Sequence, residues 1–131
     1  MTDGTEIEAS FSIDEWDETV YDDPAEGPKL TRVSLRKTYL GAIEGVGVAD
    51  VLTAQGNGGG YVASERIVGS LDGRSGSFVI QHAGVAEEDG TQSTSGRIVP
   101  GSGTGDLASL AGEAAENQQG VLSLRIRTTA Q

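Results

Sequence analysis

An acid and a base stand on the same face of one predicted hairpin. The segment YVASERIVGSLDGRSGSFVIQHAG, residues 61–84, turns at Asp72-Gly73, a pair typical of two-residue hairpin turns. Counting outward from that turn makes Glu65 and His82 diagonal neighbours on adjacent strands, on the face that carries the apolar side chains. A carboxyl and an imidazole in one apolar interior could move protons on a bound organic molecule.

Two other interpretations of this pair stay open. Glu65 and His82 could satisfy each other as a structural pair, without any ligand. A register shifted by one residue would place both groups on the outside. Two ionisable groups in a small apolar interior nevertheless exceed what packing needs, which favours a ligand or reaction site.

Strand alternation adds further candidates around the pair. In KLTRVSLRKTYL, residues 29–40, Lys37 and Tyr39 fall on the inward face, where either could fix a carbonyl or a developing oxyanion. We therefore predict catalytic roles for Glu65, His82 and Lys37. The side chains predicted to contact a ligand are Tyr39, Tyr61, Phe78, Ile80, Ile67 and Trp16. Of these, Trp16 either lines the mouth of a barrel or covers the edge of its core.

Other chemistries find little support in the sequence. With one histidine and no cysteine, a conventional zinc site is not expected, and neither is a disulfide or a thiol nucleophile. The glycines of GSGTGDLASLAG lack both the lysine of a phosphate loop and GxGxxG spacing. No serine lies in a GxSxG nucleophile elbow. We expect no metal and no cofactor.

The charge of the chain limits its partners. Nine basic and 20 acidic residues give a net charge of -11, which repels nucleic acid and anionic lipid surfaces. Seven of the acidic residues lie in DEWDETVYDDPAE (14–26), which lacks the ligand pattern of a calcium loop and is interpreted as a solvated loop. Neither a signal sequence nor an apolar run long enough for a membrane span is visible, so we expect a cytoplasmic protein.

Period-two alternation broken by glycine dominates the chain and predicts an all-β fold. We predict a single domain over 1–131, a small closed antiparallel barrel of about seven or eight strands, because closure removes exposed sheet edges. The predicted interruptions are an acidic loop at 14–29, a glycine loop at 55–60 and a short helical segment at about 104–116.

Three segments together carry a family resemblance: LTRVSLRKTYLGAIEGVGVADVL, YVASERIVGSLDGRSGSFVIQHAG and PGSGTGDLASLAG. They resemble the DUF3224 family of bacterial proteins, which is similar in fold to the allene oxide cyclases, small barrels of the calycin-like group. The resemblance implies a closed barrel that encloses an apolar organic molecule. It also implies, by analogy alone, an assembly of two or more copies.

Two functions from different classes follow as hypotheses. The first is a cofactor-independent cyclase, isomerase or lyase that acts on a small hydrophobic metabolite by acid–base chemistry inside the barrel. The alternative is a lipocalin-like carrier of a small apolar ligand, without catalysis. A structural domain whose core includes a satisfied polar pair is the third interpretation.

Overall fold

Residues 4–128 are described by the structure, a computed structural model. Within this range the strands are β1 (Thr5–Asp22), β2 (Lys29–Gly41), β3 (Ile43–Gln55), β4 (Gly59–Leu71), β5 (Arg74–Ala86), β6 (Gln92–Ile98), β7 (Leu110–Gln118) and β8 (Val121–Thr128), with one 3-10 turn at Gly105–Leu107. Each strand pairs antiparallel with the next, and β8 pairs with β1 to close the barrel. The predicted all-β fold, its antiparallel barrel and its single helical turn are confirmed.

The turn between β4 and β5 sets the register that the sequence predicts. Asp72 and Gly73 both have positive φ angles, 51° and 81°, as the twist of a two-residue hairpin demands. Glu65 therefore pairs with Ile80, and His82 pairs with Ala63. Glu65 is buried, and only 14% of the His82 side chain is exposed. The register that would place both groups outside is excluded.

The helical segment predicted at 104–116 is wrong over most of its length. Only Gly105–Leu107 forms a 3-10 helical turn, and Leu110–Gln118 forms β7. The alanines and glutamates of this segment favour a helix, but pairing with β8 and burial of alternate side chains such as Ala114 override that preference.

The acidic loop predicted at 14–29 is also largely wrong. β1 continues to Asp22, so the loop covers only 23–28. β2 supports this extension by pairing with β1 as far as Asp22, whereas β8 pairs with β1 only over Thr5–Ser10. The acidic side chains at 14–22 therefore project from the last part of β1, a long strand that extends one side of the barrel. The glycine loop is a tighter reversal at 56–58.

The two ends of the barrel differ. At one end, the connection between β6 and β7 folds over the core, where Leu107 and Leu110 are buried beside Ile98. Gly76 permits this close approach, since a Cβ there would lie 2.0 Å from the carbonyl oxygen of Thr104. At the other end, which we call the mouth, lie the four connections 23–28, 56–58, 87–91 and 119–120. The mouth is open.

Candidate functional site

Glu65 is the centre of a buried polar cluster. Its side chain is 0% exposed. Lys37 Nζ lies 3.1 Å from Oε1, and the hydroxyl of Tyr39 donates to Oε2 at 2.5 Å. His82 Nε2 lies 3.6 Å from Oε1, just beyond ordinary hydrogen-bond distance. We call these four residues the Glu65 cluster.

Small residues on β3 allow this cluster to form. Lys37 and Tyr39 project inward from β2 and Glu65 from β4, so their side chains must meet across the strand between them. Gly47 lies at the crossing, and a Cβ there would lie 2.2 Å from Oε2 of Glu65 and 2.9 Å from the Tyr39 ring. Ala49, the partner of Glu65 on β3, is also small. The absence of a side chain at Gly47 therefore provides the space that the carboxylate occupies.

Opposing effects set the pKa of Glu65. Burial raises it, but the nearby His82 imidazole, the charge of Lys37 and the hydrogen bonds from Tyr39 and Lys37 together outweigh burial. The pKa of Glu65 therefore lies below its ordinary value, and the group is a carboxylate at neutral pH. Burial raises the pKa of Tyr39 well above its ordinary value, as does the adjacent Glu65 charge, so Tyr39 remains a hydrogen-bond donor.

His82 links the cluster to Tyr61. The hydroxyl of Tyr61 lies 3.2 Å from Nδ1 of His82, and the two rings meet edge to face. Nε2 is buried without a hydrogen-bond partner among residues 4–128, and the Glu65 carboxylate lies 3.6 Å from it. A proton on Nε2 faces that carboxylate favourably, which leaves Nδ1 to accept the hydrogen bond from Tyr61. Tyr61, His82 and Glu65 thus form a chain of polar groups.

A cavity of about 550 Å³ lies between the polar groups of Tyr61, His82 and Glu65 and the mouth of the barrel. One part of its wall is apolar and consists of Phe11, Ile13, Trp16, Val33, Leu35 and Val51. The polar lining includes Lys37, Tyr61, His82, Thr94 and Glu116. Trp16 at its rim is 58% exposed. We call this space the mouth cavity, and its combination of apolar wall and polar floor is typical of small-molecule sites.

A larger groove of about 1010 Å³ crosses the outer face of β2 to β6. Its walls include Leu52, Val62 and the exposed ion pair of Arg32 with Asp50, whose atoms are 3.4 Å apart. Ion pairs in such solvated positions contribute little energy. The mouth cavity is the better candidate site because Lys37, Tyr61, His82 and Glu116 all line it, whereas only His82 among these four also borders the outer groove.

The predicted catalytic residues Glu65, His82 and Lys37 come together in the structure. Of the predicted ligand contacts, Tyr61 and Trp16 line the mouth cavity. Tyr39 contacts Glu65 from the core and is 1% exposed. The other three, Ile67, Phe78 and Ile80, are at most 1% exposed and pack in the core beneath the cluster.

Sequence reasoning missed Glu116 as a site residue. The composition of the segment that contains it predicts a helix, and this prediction hides its alternation. On β7 the inward positions recur every second residue through Leu110, Gly112 and Ala114 to Glu116. That period of two was the signal that could have found it.

Two further observations concern metals and membranes. Residues 4–128 hold no group of three or more histidine, aspartate or glutamate side chains placed to bind a metal ion. In the same part of the chain, no helix is long and apolar enough to span a bilayer.

Fold and site together define a small antiparallel β-barrel with an open mouth and a buried polar cluster beneath it. The chain belongs to the DUF3224 family, whose members are described as proteins of unknown function and whose match covers residues 7–126. It is similar to a protein of unknown function from this family in Shewanella oneidensis MR-1, whose crystal structure superposes with a TM-score of 0.87. The two chains are 31% identical over 98% of this chain and 99% of that one. Comparison with curated proteins gives no match. The expected likeness to the allene oxide cyclases stays a prediction.

Proposed function

We propose that the barrel binds a small, mostly apolar organic molecule in the mouth cavity. The observation that carries this proposal is the cavity itself, which is apolar along β1 to β3 and has Tyr61 and His82 at its floor. An apolar ligand body would replace water along the wall, while a polar end would find hydrogen-bonding groups at the floor. The fixed floor groups would set the orientation of the ligand.

Binding is expected to fail when the cavity is filled. Leu35 lines the cavity, and Leu35→Trp would place an indole in the space that a ligand needs. We expect octanol, used as a neutral probe, to bind the unmodified protein and to show no binding to Leu35→Trp in calorimetric titration. The matched control is Arg36→Trp, because Arg36 is the next residue on β2 and is exposed. Equal octanol binding by both variants would contradict the proposal, provided that their urea unfolding midpoints are similar.

A second candidate function, acid–base catalysis in the same cavity, is favoured by the chain from Tyr61 through His82 to Glu65. Burial and then the charges of Glu116 and Glu65 raise the pKa of Tyr61, so its hydroxyl keeps its proton at neutral pH. As the Tyr61 oxygen takes a proton from a bound molecule, its own hydroxyl proton would pass to Nδ1 of His82. The Glu65 carboxylate would stabilise the resulting imidazolium. Such a relay suits an isomerase, cyclase or lyase.

Deuterium exchange of a simple ketone tests this relay. In D₂O, the protein is expected to accelerate exchange of the α-protons of methyl hexyl ketone by about 10²- to 10⁴-fold over buffer, as positioned acid–base groups do. His82→Gln and Tyr61→Phe are expected to return the rate to that of buffer while octanol still binds. If the unmodified protein binds octanol and gives only the buffer rate, the relay is wrong and the carrier function stands alone.

A further inference from the structure

From the charges lining the mouth cavity, we infer that its preferred ligand is an organic cation, an amine with an apolar body whose ammonium group pairs with Glu116. This inference rests on the proposed function, since it names the ligand class of the same site. It depends on three features of the cavity: an unpaired carboxylate, aromatic faces, and a lysine whose charge is already neutralised.

Glu116 is the unpaired carboxylate. It lies on the inward face of β7, is half-buried, and lines both the mouth cavity and a small void of about 10 Å³ beside the Glu65 cluster. Its backbone N–H donates to Thr94 Oγ1 at 3.3 Å, but its side chain has neither an ion pair nor a hydrogen bond among residues 4–128. A carboxylate that is partly withdrawn from water without a partner gains most from a cationic ligand.

Lys37 does not offer a competing site for an anion. Its Nζ lies 3.1 Å from Glu65 and 4.4 Å from the centroid of the Phe11 ring. The lysine charge is therefore neutralised within the protein, and the remaining charge on the cavity lining is the negative charge of Glu116. A ligand carboxylate would be repelled by Glu116 and by the net charge of -11.

Two aromatic faces remain for a cation. Trp16 and Tyr61 both line the cavity, and the indole N–H of Trp16 donates to Glu18 at 3.1 Å, which orients the ring. Tryptophan and tyrosine faces attract ammonium groups in the same way as the Phe11 ring contacts Lys37. Carboxylate and aromatic faces together select a cation with an apolar body over either an anion or a free metal ion.

Three probes with the same alkyl body separate these possibilities: octylamine, octanol and octanoate, titrated calorimetrically at neutral pH. We expect octylamine to bind most tightly and octanoate most weakly. Glu116→Gln is expected to weaken octylamine binding by about 10- to 100-fold, the usual effect of losing a charged hydrogen bond, and to weaken octanol binding far less because octanol carries no charge. The matched control is Glu44→Gln, which removes the same charge from an exposed position near the closed end of the barrel.

The outcomes distinguish this inference from the function on which it rests. If octanol binds but octylamine binds no more tightly, the cation preference is wrong and the binding function stands. The same holds if Glu44→Gln weakens octylamine binding as much as Glu116→Gln does, since the effect would then come from overall charge. If none of the three probes binds, both proposals fail.

Discussion

Glu65→Gln is expected to lower the free energy of unfolding by about 3–5 kcal/mol at neutral pH, the range found when one partner of a buried ion pair is removed. The reason is that Lys37, with 6% of its side chain exposed, would remain charged in the interior without its carboxylate. Glutamine also has one acceptor oxygen where the carboxylate has two, so Lys37 and Tyr39 could not both keep their hydrogen bonds to residue 65. Urea denaturation of the unmodified protein and of Glu65→Gln measures this difference. A cost below about 1 kcal/mol, as for a surface pair, would contradict the account.

The cost of Glu65→Gln is expected to shrink in acid. Because the pKa of Glu65 in the folded protein lies below its ordinary value of 4.5, ionisation of this group stabilises the fold above pH 4.5. That contribution is lost as the pH falls below 4.5 and through the lower pKa of the folded state. Exposed carboxylates such as Asp14 and Glu113 titrate in both proteins, so their effects cancel in the comparison. If Glu65→Gln lowered the free energy of unfolding by the same amount at pH 7 and at pH 3, the assignment of Glu65 as a buried carboxylate would be contradicted.

Replacing the whole ion pair is expected to restore stability. In the triple variant Lys37→Met, Tyr39→Phe, Glu65→Leu, no buried charge is left without a partner, and apolar replacements of buried ion pairs are often neutral or stabilising. We expect the triple variant to be at least as stable as the unmodified protein and to have no ketone exchange activity. If it exchanges ketone protons as fast as the unmodified protein, the cluster has only a structural role.

Gly47→Ala is expected to lower the free energy of unfolding by about 1–3 kcal/mol, as overpacking a well-filled core does. The added methyl group would overlap Oε2 of Glu65 and the ring of Tyr39, both of which are buried. The control is Gly56→Ala, because the nearest atom to a Cβ there is 3.5 Å away in Pro28, an ordinary contact. Urea denaturation is expected to show a change within about 0.5 kcal/mol for the control. Equal stabilities of the two variants would contradict the close packing of the Glu65 and Tyr39 side chains over Gly47.

Much of this site could be predicted from local sequence signals. The Asp72-Gly73 turn fixes one register, and that register alone places Glu65 and His82 in the interior. Simple alternation along β2 places Lys37 on the same side. These predictions succeed because turn type and a period of two are properties of a few neighbouring residues.

Other features depend on contacts between distant segments. The composition of 110–118 favours a helix, and only pairing with β8 makes it a strand, so the position of Glu116 was hidden. The extension of β1 to Asp22 likewise depends on its pairing with β2. The role of Gly47 requires the knowledge that β3 lies between β2 and β4, which the order of strands in the barrel supplies.

The most direct test of the mouth cavity as a binding site is a two-dimensional NMR titration of the unmodified protein with octanol. Saturable shift changes are expected at residues that line the cavity and not the outer groove, above all Tyr61, Thr94 and Glu116, with little change at Leu52 and Val62 in the outer groove. A shift at His82 does not distinguish the two spaces, because His82 borders both of them. Saturable changes confined to the outer groove, or none at all, would contradict the account.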